Sequence, residues 1–194
     1  MKLPILAYGH PKLRQKCKNI TKSYPKLKNL IDDMWKTLYA ANGAGLAAPQ
    51  IDRSIRLFLL DTVEEYGQST LKEKEKFVGD KGITEVFINP QILETAGNVW
   101  SSPEGCLSIP NVWVDTERKM SLVIKYLNEN FEEKEMFFSG ATSRAIFHEY
   151  DHIEGILFTD YADNRVIKDK LERISRGEVK VNYKMLFNRP DKQK

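Results

Sequence analysis

His148-Glu149-Tyr150-Asp151-His152 (HEYDH) places two of the chain's three histidines four residues apart. On an α-helix that spacing puts both imidazoles on one face, about one turn apart, where they can reach a single ion. Glu149 then stands beside the ion without being a ligand. This is the H-E-x-x-H pattern, in which the glutamate handles protons for a water activated by the metal. The bland alternative is two partly buried histidines on an ordinary helix, and the scarcity of histidine elsewhere weighs against it. Upstream, Ser139-Gly140-Ala141-Thr142 offers capping candidates, and Gly155 stands where a helix would end, so a helix is expected to enclose the motif.

A catalytic metal site needs a third protein ligand and one open position. The sequence offers Cys106, Glu154, Asp160 and His10, with Asp163 as a further acidic residue. No histidine follows His152, which excludes the metalloprotease pattern with a third histidine downstream. Glu154 is two residues from His152 and points off the metal-binding face. Cys106 is the better candidate, because Ser102-Pro103-Glu104-Gly105-Cys106-Leu107-Ser108 is turn-prone and can offer a thiolate to an ion. A small buried apolar role for that cysteine stays open at this point.

Outward from these motifs, Leu27, Leu30, Ile31, Met34 and Leu38 recur at helical spacing and predict an amphipathic helix over Pro25 to Ala40. Asn42 to Gln50 (NGAGLAAPQ) reads as an ordered loop feeding a strand. Strands are expected at Arg56 to Asp61, at Glu85 to Asn89 where Pro90 stops it, and at Gln91 to Thr95. Further strands are expected at Val112 to Thr116, at Ser121 to Leu127 and at Phe131 to Phe138, the last two joined by a turn at Asn128-Glu129-Asn130. A polar insert spans about Thr62 to Gly82. A second helix is expected over Arg165 to Arg176, and Glu178 to Met185 alternates as a terminal strand would. By spacing, an Arg144 to Asp151 contact is possible and reads as a surface ion pair. The fold class is therefore α+β, with mostly antiparallel β-sheets packed around a central metal-binding helix, an N-terminal helix, and a C-terminal helix and strand.

With 194 residues the chain suits one domain over 1–194, with 188–194 as a frayed tail. No apolar run approaches the roughly 18 residues of a membrane span, and the N-terminus does not read as a secretory signal, so the expected compartment is the cytoplasm. A net charge of +3 with interspersed Lys and Glu gives no sign of a direct nucleic-acid site. Cys17 and Cys106 are not expected to form a structural disulfide.

Three segments, Gly43 to Gln50 (GAGLAAPQ), Glu104 to Ser108 (EGCLS) and His148 to His152 (HEYDH), stand in an order and spacing that resemble the three signature motifs of the peptide deformylases. Pro4 to Leu13 and Gly155 to Asp160 extend the resemblance over most of the chain. It implies Cys106, His148 and His152 as ligands, a water completing a tetrahedral site, and Fe²⁺ as the ion, with Zn²⁺, Ni²⁺ or Co²⁺ able to replace it. It further implies Glu149 as general base and acid, Gln50 (side-chain amide) and Leu107 (backbone N–H) as oxyanion donors, and Gly45 and Gly105 on the substrate-binding wall. The implied reaction removes the formyl group from the N-terminal formylmethionine of nascent polypeptides, with formate released and the ribosome a transient partner. From HEYDH alone, a metallo-endopeptidase or a non-catalytic metal-stabilised binding domain would also be possible. Phe147 departs from the glutamine common before the first metal histidine, and the strand-like C-terminus departs from members that end in a long helix, so no ribosome-docking role attached to such a helix is carried over.

Overall fold

The computed structural model describes residues 1–188 except Asp80 and Asp163 and the side chains of Leu71 and Asn164. The tail expected from 188 onward falls, beyond Asn188, outside the described residues. In chain order the elements are β1 (Ile5–Leu6), α1 (Leu27–Ala40), β2 (Gly45–Ala47), β3 (Leu57–Asp61), α2 (Val63–Gln68), α3 (Leu71–Lys74), β4 (Thr84–Cys106), β5 (Ile109–Leu127), β6 (Glu133–Ser139), α4 (Gly140–Glu154), α5 (Asn164–Ser175) and β7 (Met185–Leu186). Strands β2-β3-β4-β5-β6 form one antiparallel sheet in that spatial order, and β1 pairs with β7 in parallel. This is the α+β architecture expected from the sequence.

Helix α4 carries HEYDH and packs against β2, β3, β5 and β6. Its Ile146 and Ile153 enter a core with Phe58, Leu60, Phe87, Leu122, Ile124, Tyr126 and Phe138. Gly155, at φ +79°, ends the helix, as the sequence implied. Ser139 is the N-cap residue, but its hydroxyl donates to the Val78 carbonyl of the insert rather than capping the helix. A second core lies between α1 and the sheet, where Leu27, Ile31, Met34 and Leu38 meet Leu46, Leu57, Leu59, Val86 and Ile88. Helix α1 starts two residues later than the spacing suggested, because Lys26 adopts a left-handed conformation (φ +55°).

Three expectations change. Gly45-Leu46-Ala47 is a strand at the sheet edge rather than loop, paired to Phe58–Leu60. Pro90 does not stop its strand. It falls at a register shift between Ile88 and Gln91, where the missing N–H costs no ladder bond, and its carbonyl accepts from Arg56 Nη2 at 2.7 Å. Consequently the separate strands expected at 85–89 and 91–95 are one, which continues through the turn-prone segment to Cys106, and those at 112–116 and 121–127 merge into β5. Finally, Glu178 to Lys184 is not paired as a strand. Its side chains alternate in exposure, but only Met185 and Leu186 find a ladder, on the two-residue β1. The polar insert holds α2 and α3 and is tied to the start of α4 by Ala141 N–H donating to Lys76 O at 2.7 Å. No helix among the described residues is long and apolar enough to cross a membrane.

Phe87 lies in the core beneath α4, fully buried, with ring centroids 4.6 Å from Phe58 and 4.3 Å from Tyr126. Phe87→Ala is expected to lower unfolding free energy by about 3–5 kcal/mol in urea titrations, since a buried ring leaves a cavity that the sheet cannot collapse into. A loss below about 1 kcal/mol would contradict this core assignment.

Candidate metal centre and cleft

Cys106 ends β4, immediately before the two-residue turn Leu107-Ser108, while His148 and His152 project from one face of α4. Their ligand atoms all lie within 4.8 Å of one another. Cys106 Sγ is 3.2 Å from His152 Nε2, close to the roughly 3.5 Å expected between two ligands at tetrahedral bonds of about 2.3 and 2.1 Å. One thiolate and two imidazoles form a donor set for a late first-row divalent ion, so the residues present fit a metal. The other candidates are engaged elsewhere. Asp160 is bidentate to Arg14 at 2.5 and 2.9 Å, Glu154 pairs with Arg56 and Lys16, and His10 Nδ1 accepts from Lys12 N–H. Asp163 lies outside the described residues.

Glu104 orients the first histidine. One oxygen of its buried carboxylate is 3.0 Å from His148 Nδ1, which leaves Nε2 to face Cys106. Arg118 grips the same carboxylate with Nε (2.7 Å) and Nη2 (2.9 Å), Arg144 Nη1 donates at 2.7 Å, and Thr116 Oγ1 at 2.6 Å. Burial alone would raise the Glu104 pKa, but the bonds from Arg118 and His148 hold it well below the usual carboxylate range. Burial likewise works against a proton on His148, yet its bonds to Cys106 and Glu104 keep its pKa well above the ordinary value. His152 goes the other way, pushed well down by burial and by the neighbouring His148. Its Nδ1 is buried with no hydrogen-bond partner among the described residues.

Most of this network joins residues far apart in the sequence. Arg144 is a buried donor to Glu104, Thr116 and the Trp100 carbonyl, not half of a surface ion pair with Asp151. Asp151 instead accepts from Arg118 Nη1 (2.7 Å) and Tyr161 Oη (3.0 Å). Alternation could have revealed it: Glu104 and Cys106 share one strand face, as do Thr116 and Arg118, once both segments are read as strands. Phe147 makes no polar link to the site, and its ring lies 5.8 Å from the Arg118 guanidinium.

Glu149 is buried, and one of its carboxylate oxygens has no hydrogen-bond partner among the described residues. Burial pushes its carboxyl up to about 7, with His148 opposing and Glu104 adding to the rise. A Cβ on Gly45 would lie 2.3 Å from Glu149 Oε1, so glycine there admits the carboxylate beside edge strand β2. Gln50 is 1% exposed, not a solvated loop side chain. Its Oε1 accepts from Ala47 N–H at 2.8 Å, and its Nε2 lies 3.1 Å from Ser108 Oγ and 3.5 Å from Cys106 Sγ. Gly105 seats the ring of Trp113, 71% exposed on the rim. Gly45, Gln50, Gly105, Cys106, Leu107, His148 and Glu149 all line one cleft of about 1260 Å³, to which the insert contributes Glu64, Glu65, Gln68 and Lys76.

Comparison with known proteins gives a consistent answer. The family model described as Polypeptide deformylase matches residues 2–168. A peptide deformylase of Christiangramia forsetii is 50% identical over 190 residues, covering 96% of this chain and 96% of its own. One from Flavobacterium psychrophilum is 44% identical over 188 residues, covering 95% and 96%. Among solved structures, a peptide deformylase from Legionella pneumophila matches with a TM-score of 0.76 at 31% identity, over 92% of this chain and 98% of that one.

Two outcomes are expected from this geometry. Both cysteines are free, and burial pushes the Cys17 thiol up to about 11. Metal-stripped protein at pH 8 should therefore show one promptly reacting thiol towards an aromatic disulfide reagent, absent in Cys106→Ser and protected by an added divalent ion. Two equally reactive thiols, or no protection, would count against the ligand set. Glu104→Ala leaves two buried guanidiniums short of their carboxylate, and should cost about 3–5 kcal/mol in stability and about 10–100-fold in metal affinity. Wild-type values for both, by urea titration and metal competition, would remove Glu104 from its orienting role.

Proposed function

The chain belongs to the polypeptide deformylase family, and on that premise we propose that it acts as one catalytic domain removing the formyl group from the N-terminal formylmethionine of nascent polypeptides, releasing formate. The observation that carries this reading is the placement of Glu149, buried and with an unpartnered carboxylate oxygen, in the same cleft as the Cys106, His148 and His152 cluster. Cys106, His148 and His152 would hold a divalent ion, which when bound would supply Lewis acidity to water and to the formyl group. We assign Fe²⁺ by the family reading, and Zn²⁺, Ni²⁺ or Co²⁺ would meet the same donors.

The remaining work falls to side chains. Glu149 accepts a proton from the attacking water and returns it to the amine nitrogen as the C–N bond breaks. A carboxyl raised towards 7 by burial is matched to both transfers. The tetrahedral carbon develops negative charge on its oxygen, and donors already in place stabilise it without reorganising. Gln50 Nε2 is one donor, its long 3.5 Å contact to Cys106 Sγ being the weaker of its two bonds. Leu107 N–H is the other. Gly45, at the edge of the sheet, and Gly105, beneath Trp113, line the wall along which the peptide main chain lies. The substrate places this activity in the cytoplasm, in transient proximity to the ribosome. The family match does not favour the endopeptidase or the non-catalytic metal-domain reading.

Protein loaded anaerobically with Fe²⁺ is expected to release formate from a short formyl-Met peptide. Glu149→Ala should keep its metal while kcat falls by about 10²–10⁴-fold. Absence of formate above the buffer blank would sink the proposal, and cleavage inside an unformylated peptide would point to an endopeptidase instead.

A further inference from the structure

The turn Leu107-Ser108 follows a metal ligand directly and supplies an oxyanion donor in the proposed reaction. It closes a ribbon of two long strands, and such an end has no ladder beyond it to hold its backbone still. Among the described residues, three hydrogen bonds from elsewhere in the chain hold it. Gln50 Nε2 reaches Ser108 Oγ, Tyr8 N–H donates to the Ser108 carbonyl at 2.9 Å, and Tyr183 Oη donates to the Leu107 carbonyl at 2.7 Å.

Tyr183 belongs to the segment between α5 and β7, beyond the residues 2–168 that the family model matches. Its ring packs against the core of Leu38, Leu46 and their neighbours, alongside Leu107. Its place along the chain is fixed from the other side as well: Ile5 N–H donates to Lys184 O and Ala7 N–H to Leu186 O, both at 2.8 Å. The hydroxyl is thus held by residue 184 on one side and by ring packing on the other, and it ends on the carbonyl of Leu107, a residue that lines the cleft and whose N–H the proposed reaction uses as an oxyanion donor. Side chains 180–183 line that cleft, so the segment is wall as well as anchor.

We infer that Tyr183 is a positioning residue for the deformylation reaction: through its hydroxyl bond to the Leu107 carbonyl, it fixes the peptide turn that presents Leu107 N–H to the developing oxyanion. The inference rests on the proposed function for its catalytic consequence and on the bond alone for its structural part. The effect acts on the transition state, since the ground-state carbonyl gains little from that N–H until charge develops.

The test is Tyr183→Phe, which keeps the ring and removes only the hydroxyl. On a formyl-Met peptide, kcat should fall by roughly tenfold with KM within about twofold, less than the hundredfold or more that loss of a donor costs. Metal content and thermal midpoint should match wild type, which separates positioning from general destabilisation. Independently of activity, in the Zn²⁺-loaded protein the amide order parameter of Leu107 should drop from a rigid value of about 0.85 towards 0.6. An unchanged order parameter or an unchanged kcat overturns the inference. A wild-type protein without formate release would sink the deformylase reading alone, and the order parameter would then still decide whether Tyr183 fixes the turn.

Discussion

A single buried carboxylate, that of Glu104, governs the arrangement of the site. It joins β4 to β5 through Arg118 and Thr116, and to α4 through Arg144 and His148. Burying charge this way is not a large source of stability, because the desolvation of each ion offsets most of the attraction. Its value lies in direction. With Nδ1 engaged by Glu104, His148 can offer only Nε2 to Cys106 and an ion, and Asp151 takes the remaining arm of Arg118 so that the guanidinium cannot swing away. One acceptor thereby sets the distance between the strand that carries the thiolate and the helix that carries the imidazoles.

The opposite wall follows a different logic, in which the absence of atoms matters. Gly45 has no Cβ, and Glu149 Oε1 occupies the room that one would fill. The Glu149 carboxylate is thereby close to the ligand cluster yet out of bulk water, and burial raises its pKa for the same reason that it leaves one oxygen unpartnered. Gln50 and Glu149 are both buried polar groups, but Gln50 has partners on both ends of its amide. Gln50 is rigid by bonding and Glu149 by confinement, so each is presented at a defined place before any substrate arrives.

Much of this was legible in the sequence, and what was not has physical causes. The helix around HEYDH and the strand at Leu57–Asp61 follow from residue spacing and a short apolar run, which are local, whereas the grouping of Cys106 with the two histidines was implied by the family resemblance and left open by the residues alone. Pro90 misled because a proline is compatible with a strand at a bulge, and bulges are set by tertiary register rather than by neighbours in sequence. Ser102-Pro103-Glu104-Gly105 reads as turn-prone by composition, yet it forms strand because Ser102 to Glu104 pair with Val114 to Thr116 across the ribbon. That misreading hid the shared face of Glu104 and Cys106, and with it the role of Arg144. Tyr183 left no signal at all, since its partner is a backbone carbonyl 76 residues away.

The turn at Leu107-Ser108 shows why residues so distant belong to the site. A hairpin end is the least constrained part of a sheet, yet Cys106 immediately before it must keep its place against the helix-borne imidazoles for the proposed metal site to form. Ribbon pairing fixes Cys106 through Ile109 but leaves the two turn residues to rotate about their own dihedrals. The two carbonyl ties restrain that rotation and the third holds the Ser108 side chain, and they come from three separate stretches, at Tyr8, Tyr183 and Gln50. Because β1 and β7 pair with each other, the Tyr8 and Tyr183 ties leave from two strands held in one register. Pairing two short strands far in sequence from Cys106, His148 and His152 therefore has a local consequence, a turn held by its two carbonyls without a ladder of its own.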